Sequence, residues 1–201
     1  MNGAGGRPRN AAVDTAVLAT TIGLLRERGY AGLRINDIAE ASGTAKTTIY
    51  RRWPTLTHLV VAAMQHALGE RAFEATGDTE ADLDSLVESG LGFLVDGRSD
   101  LLAVALDIHR QGDTELRSTY RQSIIDPIRE QAITLIATAV ERGELEENTQ
   151  PDVMVDAVIG GLVYRSAILA EPLSLDQARA FWRSVLSPRR CQSPQPRRPS
   201  K

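Results

Sequence analysis

An all-α fold follows from three features of this chain. Apolar residues recur at the three- and four-residue spacing of helical faces almost throughout. Ala, Leu, Arg and Glu dominate, whereas the alternating runs of a half-buried strand are hard to find. Glycine and proline fall between the periodic segments, where helices end. About nine helices are expected, arranged as a small N-terminal three-helix unit and a larger helical body.

The first helix should run from Ala11 to Arg28, with Val13, Val17, Leu24 and Leu25 turned inward. Gly29 closes it, because glycine takes the left-handed conformation of a helix end without steric cost. Ile35, Ile38 and Ala39 mark a short second helix ending at Ser42-Gly43, and a third covers Ala45 to Arg52 and stops at Trp53-Pro54. The fourth, Leu56 to Phe73, carries Leu59, Val60, Ala63, Met64 and Ala67 on one face. A loop at Thr76–Thr79 precedes helices near Ala81–Leu94, Leu101–Arg110 and Leu116–Glu141. Pro127 should kink the last of these, since it lacks an amide donor. Pro151 or Asp152 opens a helix to Ala170, and Leu175–Leu186 forms the final one. Four units result: a flexible basic arm (1–10), the three-helix unit (11–55), the helical body (56–187) and a tail (188–201). The tail holds four prolines and five basic residues with almost nothing apolar, and is expected to be disordered.

Bulk composition narrows the class. No stretch approaches the roughly 18 apolar residues of a membrane helix, and MNGAGGRPRN has no apolar segment behind it that would make a secretory signal. One cysteine, Cys191, excludes an internal disulfide, and His58, His66 and His109 do not have zinc-finger spacing. A soluble cytoplasmic protein is the expectation. The net charge of −3 hides a strong asymmetry. Residues 1–54 carry 8 Lys/Arg against 4 Asp/Glu, residues 55–180 carry 9 against 22, and residues 181–201 carry 6 against none. A basic head on an acidic body suits a polyanion that meets the head and is repelled by the body.

Ile35 to Trp53 contains two helices too short to be stable alone, which must pack on the first. Ile38 and Ile49 point into the shared core, Ala39 permits a close crossing, and Gly43 sits at the sharp turn. This is the pattern of a helix-turn-helix, whose second helix protrudes far enough to enter a major groove. Thr44, Lys46, Thr47 and Thr48 lie at its N-terminal end, suited to phosphate oxygens and base edges. Tyr50, Arg51 and Arg52 can grip flanking phosphates, while Trp53 reads as a core anchor. Upstream, Arg7 and Arg9 in GGRPR have the composition of an arm that follows a groove.

From Arg7 to about Val60 the sequence resembles the DNA-binding domain of the TetR/AcrR family of transcriptional repressors. GRPR at 6–9, ERGY at 27–30, DIAEASG at 37–43 and KTTIYRRWP at 46–54 carry the resemblance. It implies phosphate contacts from Lys46 and Tyr50 and base reading by Thr44, Ala45, Thr47, Thr48 and Arg51. Two positions depart from the family pattern. Thr55-Leu56-Thr57 stand where Ser-Lys-Glu is usual, so a phosphate-binding lysine is replaced by Leu56. Arg34 stands where a threonine usually caps the second helix.

The resemblance further implies a helical ligand-binding domain that dimerises through its last two long helices. Gly160 and Gly161 fit this: each costs about 1 kcal/mol against alanine inside a helix, which makes sense where another helix backbone approaches closely. An approach within the same chain would explain them equally. Val158, Leu162, Ile168, Leu169, Phe181, Trp182 and Val185 complete the expected homodimer interface. A dimer sets two reading helices roughly 34–36 Å apart, on a palindromic double-stranded operator. Candidates for an effector pocket are Phe73, Phe93, Leu106, His109, Tyr120, Ile124 and Tyr164, with Pro127 opening space. His109 stands near Asp107, Asp113 and Glu115 without the spacing of a metal site, and no metal or cofactor is expected. The acidic body disfavours a strongly anionic ligand.

No G-x-S-x-G, H-E-x-x-H or Walker glycine run is present, so an enzyme is not expected. The expected function is a ligand-responsive transcriptional regulator, a repressor that binds a palindromic operator as a dimer and is released by a small molecule. The alternative is a helical interaction module whose reading helix binds a protein; Lys46, Arg51 and Arg52 disfavour it.

Overall fold

The computed structural model describes residues 7–69, 75–95 and 99–186, and every regular element among them is helical. In order these are α1 (Arg7–Arg28), α2 (Ile35–Ser42), α3 (Lys46–Arg52), α4 (Leu56–Leu68), α5 (Thr79–Leu91), α6 (Ser99–Gln111), α7 (Thr114–Tyr120), α8 (Asp126–Glu141), α9 (Pro151–Val163) and α10 (Leu175–Leu186). A 3-10 turn, Gly92–Leu94, follows α5, and π-helical turns at Arg121–Ile125 and Tyr164–Ile168 join α7 to α8 and extend α9. Because α7 and α8 are continuous, the described residues form nine uninterrupted helices, as periodicity predicts. Among them no helix is long and apolar enough to cross a membrane.

Two boundaries differ from the sequence reading. Helix α1 begins at Arg7, so residues 7–10, expected to be part of a flexible arm, are helical. Pro8 lies in the first turn, where a missing amide removes no helical hydrogen bond. Helix α4 ends at Leu68 instead of reaching Phe73, because Gly69 takes φ 79° and its amide closes on the His66 carbonyl. Phe73, residues 1–6 and the tail at 188–201 lie outside the described residues.

Pro127 produces a π-helical turn in place of a simple kink. Its ring cannot donate to the Ser123 carbonyl four residues back and would crowd it. That carbonyl instead accepts a hydrogen bond from Gln65 Nε2 of α4 at 3.2 Å. The extra residue per turn also shifts which side chains face inward, a common use of π-turns.

Two apolar clusters organise the molecule. The first joins Val17, Leu24 and Leu25 of α1, Ile38 and Ile49 of the short helices, and Leu59, Val60 and Met64 of α4. It then continues without a break into Leu101, Val104 and Ile108 of α6 and Leu116, Tyr120 and Ile124 around α7. The second holds α5, α8, α9 and α10 together around Leu86, Ile136, Val155, Leu162 and Trp182. Asp84 of α5 locks α10 in place, accepting from Trp182 Nε1 at 2.9 Å and from the Arg183 guanidinium. Ser166 in the turn after α9 donates to the Leu94 carbonyl at 2.7 Å, tying that turn to the end of α5.

The two glycines of α9 do different things. A Cβ on Gly161 would lie 2.5 Å from Phe181 Cζ, so this glycine exists to admit a ring of α10 within the same chain. A Cβ on Gly160 would meet nothing within 4 Å. Gly161→Ala should therefore destabilise the protein by about 1–2 kcal/mol, overpacking outweighing the gain in helix propensity. Gly160→Ala should not reduce stability. Urea unfolding at one fixed protein concentration compares them.

Candidate nucleic-acid interface and effector cavity

Helix α2 ends in a left-handed turn at Gly43 (φ 65°), with the Gly43 amide on the Glu40 carbonyl and the Thr44 amide on that of Ala39. This paired closure reverses the chain sharply and sets α3 at an angle to α2. No side chain caps α2: Arg34 at its N-cap turns away and donates to the Ala31 and Leu33 carbonyls. Ile49 is fully buried and fixes the rotation of α3 about its own axis. That rotation leaves Lys46, Thr47, Tyr50 and Arg51 exposed on the outer face, with Ala45 exposed at the N-cap. Thr48 is half-buried, and the half-buried Thr44 directs its hydroxyl toward the Ser42 carbonyl at 3.4 Å.

Arg52 is placed otherwise than the sequence suggests. Its side chain is only 15% exposed and pairs with Asp14 Oδ1 at 2.6 Å, so it braces α3 against α1 and does not face outward. Leu56, standing where a lysine is usual, packs half-buried against the first core. Trp53 packs on the same core, as an anchor should. Arg7 and Arg9 lie in the first turn of α1.

Where the two cores meet there is a cavity of about 580 Å3, within the range of small-molecule sites. Five of the expected pocket residues line it: Phe93, Leu106, His109, Tyr120 and Ile124. Tyr164 does not; it is 54% exposed at the start of the π-helical turn that extends α9. Sequence reasoning missed Arg117, Ser118 and Arg121, which line the same cavity. A signal for them existed, since Arg117, Tyr120, Arg121 and Ile124 follow the i, i+3, i+4, i+7 spacing of one helix face. A second concavity, about 600 Å3 beside Pro127 and Arg142, is a poorer site. Its buried carboxylate, Asp82, already accepts from Thr76 and from the Gly77 amide.

Helix α6 touches both regions. Leu102, Ala105, Leu106 and His109 face the cavity, while Asp107 accepts the Tyr30 amide at 2.7 Å. Tyr30 follows Gly29, whose left-handed φ of 66° ends α1. A Cβ on Gly29 would approach Asp107 Oδ2 to 2.9 Å, so glycine is required there twice over. Burial raises the Tyr30 phenol above its usual pKa, and the nearby Asp113 carboxylate adds in the same sense; a hydrogen bond with Thr57 of α4 opposes them. Tyr30 is thus a junction between α1, α4 and the α6–α7 corner.

Comparison with known proteins decides the family. The description "Bacterial regulatory proteins, tetR family" matches residues 17–63, and "Tetracyclin repressor-like, C-terminal domain" matches residues 73–185. The chain belongs to the TetR family. A TetR-family chain is a helix-turn-helix, DNA-binding transcriptional regulator. One curated relative, an uncharacterized HTH-type transcriptional regulator of Mycobacterium tuberculosis (strain ATCC 25618 / H37Rv), is 30% identical over 87% of this chain and 86% of its own. Among solved structures, the TetR family regulator SCO0332 is 28% identical with TM-score 0.62, covering 87% of this chain and 96% of that one. Two more distant structures share the TetR fold. AibR, in complex with isovaleryl coenzyme A and operator DNA, is 18% identical with TM-score 0.63 over 88% and 99% of the two chains. A transcriptional regulator from Saccharomonospora viridis, in complex with choline, is 22% identical with TM-score 0.64 over 87% and 95%.

The expected interface residues of this TetR-family chain divide in two. Val158, Leu162 and Trp182 are buried within the protomer, and Phe181 and Val185 are half-buried in the same core, Phe181 against Gly161. The first three are corrected from interface to interior, because α9 and α10 pack them on neighbouring helices of the same chain. Gly160, Ile168 and Leu169 are exposed, Ile168 at 70%.

Lys46→Ala, Tyr50→Ala and Arg51→Ala should each weaken DNA binding about tenfold, the loss of one charged or polar contact, with unchanged melting. Arg52→Ala should instead cost about 1 kcal/mol, lowering the melting temperature by roughly 2–4 °C. Fluorescence anisotropy on labelled DNA and thermal unfolding together separate the two classes.

Proposed function

We propose that this TetR-family regulator is a repressor that binds a palindromic operator as a homodimer and is released by a small molecule. The observation that carries the reading is the outward face Lys46–Thr47–Tyr50–Arg51, mounted on a core that continues into the cavity wall. Lys46 and Tyr50 hold phosphates, while Ala45, Thr47 and Arg51 meet base edges, with Thr44 and Thr48 at the margin. The acidic body faces away from DNA. AibR supports the pairing of ligand and operator in one chain of this fold.

The dimer surface is the exposed side of α9. Val153, Ala157, Gly160, Tyr164 and Ile168 recur every three or four residues along it, and all are exposed. Such a stripe of apolar and small residues is what a partner helix covers. It overlaps the expected set at Gly160 and Ile168, with Leu169 beside them.

Release runs through α6. A ligand in the cavity presses on Leu106 and His109, and α6 carries Asp107 with it. Because Asp107 holds the Tyr30 amide, the end of α1 moves, and the spacing of the two reading helices changes. The ligand must favour one spacing over the other for this to release DNA.

The test is a footprint over the DNA flanking the protein's own gene, repeated from 50 to 200 mM salt. With Lys46 and Arg51 of each protomer bringing about four positive charges to the DNA per dimer, affinity should fall roughly a hundredfold over that range; a salt-insensitive complex, or no protected palindrome, would overturn the proposal. Ile168→Glu should give a monomer in light scattering and lose operator binding. Asp107→Ala should retain operator binding yet resist release, whereas Asp107→Asn, which keeps the acceptor oxygen, should behave as the parent. Equal release from all three proteins would remove α6 from the mechanism.

A further inference from the structure

The cavity carries a charge pattern opposite to that of the body around it. Residues 55–180 hold 22 acidic against 9 basic side chains. Yet none of the residues lining the cavity is acidic, and two are arginine and one is histidine. His109 is in the last turn of α6, Arg117 in α7 and Arg121 at the start of the π-helical turn, so all three come from the α6–α7 stretch of the chain. Thr114 and Ser118, from the same stretch, add hydroxyls to the wall. The remainder of the wall is apolar, from Leu91, Leu102, Ile128, Ile159 and Val163.

We infer that the effector is an anion with an apolar tail, its head toward Arg117 and Arg121 and its tail between α5, α6 and α9. The inference rests on the effector reading above only in taking the cavity as the ligand site. A guanidinium offers five N–H donors. The Gly112 carbonyl takes an Arg117 donor at 2.8 Å, and Asp126 takes Arg121 Nε at 3.0 Å. These partners orient both groups and leave donor capacity for a carboxylate or phosphate, which arginine binds in a bidentate manner. A cationic head would meet two guanidiniums, only one of which, Arg121, has a carboxylate beside it. A neutral alcohol would forgo the charge-assisted bonds. The net charge of the body, which disfavours an anion at a distance, is outweighed locally because charges beyond about 8 Å are screened at physiological salt.

Two kinds of molecule share this chemistry, a free medium-chain carboxylate and its coenzyme A thioester. Isothermal titration calorimetry on the full chain, without DNA, with octanoate, octanoyl coenzyme A, 1-octanol and octyltrimethylammonium distinguishes them. At least one of the two anions should bind tenfold or more tighter than both controls. Tighter octanoate places the head inside the cavity; tighter thioester places the phosphates at its mouth on the same arginines. Shortening the better anion should weaken it by about fourfold per methylene removed. Arg121→Gln, an exposed position that leaves folding intact, should weaken the anion about tenfold and leave 1-octanol unchanged; Arg117→Gln should do the same if its melting curve matches the parent. Binding of 1-octanol or octyltrimethylammonium as tight as the anions, or no binding of either anion at 1 mM, would overturn the inference. An anion that binds but does not release the operator would leave it standing and sink the release mechanism instead.

Discussion

The first apolar core is the constraint on which the rest depends, because it does not stop at the edge of the DNA-binding unit. Ile49, which orients the reading helix, shares one continuous cluster with Ile108, Tyr120 and Ile124, and the last two also line the cavity. Close-packed interiors transmit displacement because they have no slack to absorb it. A two-lobed molecule with separate cores joined by a linker would lack this property. Here the helix-turn-helix is the distal end of a packed body, and Ser123 and Gln65 fasten α4 to that body at the π-helical turn.

Polar contacts refine what the core sets in place. The Tyr30 amide on Asp107 ties α6 to the end of α1 through one short hydrogen bond at a glycine-terminated helix. The Arg26–Asp100 pair at 2.7 Å joins the same two helices, though both side chains are about half exposed, so it contributes little. The Arg52–Asp14 pair fixes α3 on α1 and removes one arginine from the outward face. Charge is sorted accordingly. Lys46 and Arg51 face outward, acidic groups dominate the body, and the cavity is lined by two arginines and a histidine with no acidic residue.

Much of this is legible in the sequence, for identifiable reasons. Gly29 and Gly43 announce helix ends because few other residues accept a positive φ, and both adopt it. Val17, Leu24, Ile38, Ile49 and Leu59 announce the first core by spacing alone, and all are buried. Leu106, His109 and Ile124 are recognisable as pocket candidates since they stand on amphipathic helices of the body. Arg117 and Arg121 are harder, because an arginine on a helix face usually points to solvent. Val158, Leu162 and Trp182 mislead in the opposite direction: periodicity identifies an apolar face but not whether the same chain or a second one covers it.

The sequence by itself determined the helical class, the turns at Gly29 and Gly43, the reading helix and the family, because these depend on local periodicity, glycine conformations and contiguous motifs. Tertiary structure decided the rest. Whether Arg52 faces DNA or Asp14, which glycine of α9 admits a ring, and which cations line the cavity all depend on residues far apart in the chain. Asp107 and Tyr30 are 77 positions apart, and no local pattern encodes their hydrogen bond. It exists because two helices pack with a glycine between them.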